Sequence, residues 1–117
     1  MQKTVLILDD DLGFSMWLGR ALNEAGIRSV PAASAVEALA IVADGSFDPI
    51  ELMIANFKVD GCREVLETLA IQNSRSKVIS IGSSGKRTVD GTIRRPTGKS
   101  LPPPDRYVKT VRDVLAR

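Results

Sequence analysis

Short aliphatic runs recur along this chain, and their lack of polar alternation is the feature that most constrains its fold. Residues 4–8 (TVLIL) and 52–55 (LMIA) are almost wholly apolar, and 78–81 (VISI) is broken only by Ser80. A strand with one wet face alternates polar and apolar residues, whereas a strand covered on both faces does not. These runs therefore read as interior strands of a parallel sheet. Residues 27–31 supply a further short strand, and Thr92-Ile93 a weak fifth.

The segments between them carry helical spacing. Residues 12–25 place Phe14, Leu18, Leu22 and Ala25 on one face and stop at Gly26, with Trp17 beside the stripe as part of the core or as a partner contact. Ser34, with Glu37 three residues later, forms a capping box. It opens a helix that presents Leu39, Ala40 and Ala43 and ends near Asp44-Gly45. Residues 61–72 predict a third helix burying Val65, Leu66, Leu69 and Ala70. The next connection, 86–91, is too short and polar for an amphipathic helix, so a fourth helix before the fifth strand is shortened or missing. Pro102 to Pro104 then lead into a last helix with Val108, Val111, Val114 and Leu115 inside. The order βαβαβαβ-loop-βα implies a doubly wound, flavodoxin-like α/β fold with five parallel strands. At 117 residues, one domain over 1–117 is expected.

Composition narrows the function classes. With 44% hydrophobic and 26% charged residues the chain reads as globular, not disordered. The absence of histidine excludes any mechanism that needs an imidazole base. Cys62 is the single cysteine and cannot form an internal disulfide, which suits a reducing, cytoplasmic compartment. No apolar run approaches the ~20 residues that span a bilayer, so no membrane association is expected. Charge is unevenly divided: residues 1–73 hold 5 Lys or Arg against 11 Asp or Glu, and residues 74–117 hold 11 against 3. The basic residues are scattered and lack interleaved aromatics for base stacking, so direct nucleic-acid binding is not expected.

Two of the interior strands end in polar side chains. Asp9, Asp10 and Asp11 follow the first, and Asn56 follows the third. Chemistry in parallel sheets gathers at the carboxyl ends of strands. An acidic pair with a neighbouring carboxylate would make an oxygen-ligand Mg²⁺ site. Asn56 has no anionic oxygen to attack phosphorus or to balance a cation, so the pattern reads as a signalling site with its reactive group removed. Two alternatives concern the same residues: the carboxylates cap the first helix at a solvated strand end, and Asn56 is a turn residue. A third concerns residues 82–88 (GSSGKRT), which superficially match a phosphate loop. Ser80 stands where the first glycine is needed and Arg87 separates Lys86 from Thr88, which leaves a bare anion site as the residual reading there.

The whole chain resembles the receiver domain of two-component response regulators. The resemblance rests on Val5-Leu6-Ile7-Leu8-Asp9-Asp10-Asp11 and on residues 32–39 (AASAVEAL), similar to that family's first strand and second-helix entry. It implies that Asp9 and Asp10 descend from a metal-binding pair and that Asn56 stands at the phosphoacceptor. Asp60-Gly61 resembles the Asp-Gly that follows the acceptor. The resemblance further implies that Gly82 or Ser83 stands at the switch hydroxyl and that Arg95, before Pro96, replaces a phosphate-contacting lysine. Arginine keeps the charge but adds fork geometry, so the exchange is not neutral. The implied function is a non-enzymatic, atypical receiver: a protein-protein interaction module in phosphorelay-type signalling, not phosphorylated by the usual route. It would have no cofactor beyond weak Mg²⁺ binding, and a histidine kinase or another regulator as partner; a homodimer is compatible. The rival is a regulator phosphorylated on Asp60. More distant is a small flavodoxin-like nucleotide- or anion-binding protein.

Overall fold

The computed structural model describes residues 3–44, 49–98 and 101–117. Five strands, β1 (Thr4–Leu8), β2 (Arg28–Ala32), β3 (Ile50–Ala55), β4 (Lys77–Ile81) and β5 (Gly91–Ile93), form one sheet in the order β2-β1-β3-β4-β5. Every neighbouring pair is parallel. The helices are α1 (Leu12–Glu24), α2 (Ala35–Ala43), α3 (Cys62–Gln72) and α4 (Asp105–Leu115). This is the doubly wound, flavodoxin-like arrangement expected from the alternation of runs and helices.

The apolar runs are unbroken because each strand feeds two cores. Val5, Ile7, Leu52, Ile54 and Ile79 pack with Phe14, Leu18 and Leu22 of α1 and Val108, Val111 and Val114 of α4. Their chain neighbours Leu6, Leu8, Met53 and Ala55 face the other way, onto Ala38 and Val42 of α2 and Val65, Leu66 and Leu69 of α3. Trp17 packs on the first cluster, its ring 5.3 Å from Tyr107 and nearly perpendicular to it. Proline at position 31 is tolerated because β2 is an edge strand with one partner.

Helix boundaries follow local chemistry. Asp11 caps α1, its Oδ1 accepting the Phe14 N–H at 3.1 Å. Ser34 Oγ accepts from the Glu37 N–H at 3.2 Å, while Glu37 Oε2 accepts from the Ala33 N–H at 2.7 Å, one residue earlier than a strict capping box requires. α3 begins at Cys62, one residue later than expected, since Gly61 has a left-handed φ of 83°. A Cβ on Gly61 would lie 2.7 Å from Ala35 Cβ, so glycine lets the chain pass against the start of α2.

Two faces differ from expectation. α2 buries Ala38 and Val42, whereas Ala40 and Ala43 are exposed. Alanines distributed around a helix give it little polarity, so packing against the sheet selects the face. In α3, Ala70 is exposed and Cys62 is buried, because positions 62, 65, 66 and 69 complete one helical stripe. Gly45, predicted at the end of the second helix, lies outside the described residues; α2 ends at Ala43 with Asp44 as its cap.

The connection from β4 to β5 contains no helix and spans residues 82–90, shorter than most parallel crossovers. It is tied at both ends. The Gly82 N–H donates to Ile93 O and the Asp90 N–H to Val78 O, each at 2.8 Å. Asp90 Oδ2 also accepts from the Val78 N–H at 2.7 Å.

Candidate functional site

Strand register brings the polar groups to one edge. Leu8 aligns with Ala32 and Ala55, Ala55 with Ser80, and Ser80 with Thr92. The ladder runs one step beyond β1 and β3, with the Asp9 N–H donating to Ala32 O at 3.1 Å and the Asn56 N–H to Leu8 O at 2.9 Å. Asp9 and Asn56 thus stand side by side on anchored backbone.

Asp9 is fully buried. Its Oδ1 accepts from the Asp11 N–H at 3.1 Å and from Asn56 Nδ2 at 3.3 Å. Arg95 closes the cluster as a fork, Nε donating to Oδ2 at 3.1 Å and Nη2 to Oδ1. Burial pushes the Asp9 carboxyl up, but the hydrogen bonds from Arg95, the Asp11 N–H and Asn56, with the guanidinium charge, outweigh it and hold the group below the ordinary carboxylate range. The same bond to Asp9 raises Arg95. Asp10 and Asp11 lie farther from the guanidinium, at 3.7 and 3.8 Å, and the Asp10 side chain is 74% exposed.

Asn56 makes two opposite bonds. Its Oδ1 accepts from the Lys58 N–H at 3.0 Å, an Asx turn, while its Nδ2 donates to Asp9. A carboxylate there would keep the first bond and turn the second into oxygen facing oxygen. Both readings of Asn56, as a turn residue and as a neutral neighbour of Asp9, describe the geometry.

These residues do not fit a Mg²⁺ ion. The Asp9 oxygens are occupied by four donors, and the neighbouring strand offers an amide. Among the described residues no group of three or more His, Cys, Asp or Glu side chains is placed to hold a metal. The position a cation would take beside Asp9 is filled by the guanidinium of Arg95.

Arg95 and Asn56 also border a cleft of about 300 Å³, which Gly82, Ser83, Lys58, Arg94 and Thr97 complete. Gly82 has a φ of 77°, and its carbonyl accepts from Ser80 Oγ at 2.9 Å. Ser83 Oγ accepts from the Gly85 N–H at 3.1 Å. Of the residues singled out in the sequence, Asn56, Gly82, Ser83 and Arg95 line this cleft, Asp9 joins through its bonds to Asn56 and Arg95, and the exposed Asp10 does not line it. Asp60 is exposed and does not line it. Sequence reasoning missed Lys58, Arg94 and Thr97, each within two residues of a position it had chosen. It also missed the buried Ser80, whose hydroxyl meets Thr92 Oγ1 at 3.1 Å. The polar break in the run 78–81 was the available signal for Ser80.

No protein-family profile and no curated protein matches this chain. Solved structures do. A CheY-like response regulator receiver domain protein from Methanospirillum hungatei JF-1 is 21% identical, with a TM-score of 0.77 over 99% of this chain and 95% of that one. Chemotaxis response regulator CheY4 of Vibrio cholerae is 19% identical, with a TM-score of 0.74 over 97% and 99%. CheY6 from R. sphaeroides, in complex with the phosphorylated P1 domain of CheA3, gives 22% identity and a TM-score of 0.69 over 98% of each chain. The chain therefore has the fold of CheY-like receiver domains.

Proposed function

We propose that this chain is an atypical receiver domain that works as a protein-protein interaction module in two-component-type signalling and is not phosphorylated by the usual route. The observation that carries this reading is the saturation of Asp9. One buried carboxylate takes bonds from Arg95, Asn56 and the Asp11 N–H, which leaves neither a free anionic oxygen for a cation nor a nucleophile beside it. The likeness to CheY6, seen with a CheA3 domain, and to the receiver domain of the hybrid histidine kinase CckA makes a histidine kinase, or another regulator, the partner class. A carboxylate satisfied wholly by groups of its own chain suits a module whose state is set by the protein that binds it. The reading takes 1–117 as one non-enzymatic unit.

The test is incubation with acetyl phosphate or phosphoramidate and Mg²⁺, followed by intact-mass measurement. The mass should not change. A stoichiometric, base-labile gain of one phosphoryl group would overturn the reading, and mapping it to Asp60 would establish the phosphorylated rival.

A further inference from the structure

A second, larger groove of about 800 Å³ lies between α3 and the helix-free crossover after β4. Four cationic side chains line it: Lys58, Arg63, Lys86 and Arg87, all exposed. Glu67 is the one acidic residue among the lining. Among the described residues, none of the four cations has a carboxylate within ion-pair distance. Beneath them lie apolar groups, the half-buried Phe57 and the nearly buried Leu66. Like charges gathered over an apolar floor repel one another, and an occupant carrying carboxylates with an apolar anchor relieves both features at once.

We propose that this groove is a docking site for an acidic peptide segment of a partner protein, with glutamate or aspartate side chains on the basic rim and an aliphatic side chain against Phe57 and Leu66. A single small anion would fill only part of the volume. A nucleic acid fits less well, since Phe57 is the one aromatic in the groove and Glu67 stands one helical turn from Arg63 on the same bank. The crossover creates the space: residues 82–90 form no helix, with a single turn at 85–86, where the resemblance implies a helix, and they place Lys86 and Arg87 opposite α3. The proposal rests on the interaction-module reading only in taking a protein as the occupant, and the acetyl phosphate result does not bear on it.

The test uses the full chain and a fluorescein-labelled peptide of alternating glutamate and leucine, followed by fluorescence anisotropy. Saturable binding should weaken as salt is raised. Lys86→Glu/Arg87→Glu should weaken it about tenfold, and Arg63→Glu on the opposite bank by a comparable factor. Because either variant can fail to fold, each is first checked by thermal melting, and amide shifts of residues 58–67 and 83–87 on peptide addition give the location in the unaltered chain. Absence of saturable binding, unchanged affinity in both variants, amide shifts elsewhere, or tighter binding of a single-stranded oligonucleotide would each overturn the proposal.

Discussion

Two polar regions sit next to each other on this molecule, sharing Lys58 and Ser83 at their border, and they treat charge in opposite ways. Around Asp9 the charges are directed at one another, with guanidinium, amide and backbone N–H all turned onto a buried carboxylate. Along α3 and the β4 to β5 crossover the cations face solvent, and among the described residues none has a carboxylate within ion-pair distance. Charge in the first region belongs to the fold; charge in the second is open to a partner. Mutations should therefore change stability in one place and binding in the other.

The largest effect is expected from Arg95→Ala. Removing one partner of a buried pair costs about 3–5 kcal/mol. Arg95 is about one-third exposed and Asp9 keeps its other donors, so a loss of about 2–3 kcal/mol is expected, or roughly 10 °C in Tm by thermal melting. The effect should depend on pH. In the natural chain the Asp9 carboxyl is held below its unfolded value, so its contribution is present above about pH 4 and is lost as pH falls through the lower folded value. In Arg95→Ala, burial acts without the guanidinium, and protonation relieves the buried charge. The gap between the two proteins should therefore narrow as pH is lowered from neutrality. A gap that stays constant to pH 3 would mean that Asp9 and Arg95 do not form the pair described.

Asn56→Asp should come next, at about 1 kcal/mol in metal-free buffer, since it sets a second carboxylate against Asp9 while Arg95 still screens both. Added Mg²⁺ should recover stability in Asn56→Asp/Arg95→Ala, where the cation position is vacated, and little in Asn56→Asp alone. If the single variant recovers fully with Mg²⁺, the guanidinium is not the occupant of that position. The smallest effect should come from Lys86→Glu/Arg87→Glu, whose unfolding free energy should stay within about 0.5 kcal/mol of the natural chain. A larger loss would make those cations part of the fold and erase the contrast.

How much of this was legible in the sequence depends on how local its cause is. The strands were readable because TVLIL and LMIA serve two cores at once. The capping box at Ser34 and Glu37 was readable because it is built from residues three apart. The burial of Ala38 instead of Ala40 was not, since alanine pairs evenly with either face. Of the site, Asp9, Asn56 and Arg95 were legible as residues to watch. Their bonding was not, because Arg95 meets Asp9 across a separation of 86 residues and the reach of a side chain is decided by the sheet between them. The paired strand ends suggested a cation beside Asp9, and the structure puts an arginine there. The basic groove was hidden for a similar reason, as Arg63 and Lys86 come together only when the crossover folds back on α3.

The bond between Arg95 and Asp9 also has a mechanical meaning. β5 is a three-residue edge strand hydrogen-bonded to β4 alone, whereas β1 lies between β2 and β3. Arg95 follows the end of β5 by two residues, so its guanidinium staples the shorter edge strand of the sheet to the interior over β3 and β4, about 14 Å at ordinary strand spacing. A contact that closes so long a loop forms only after the sheet has brought its ends together. We expect it to act as a late latch, so that Arg95→Ala should speed unfolding more than it slows folding.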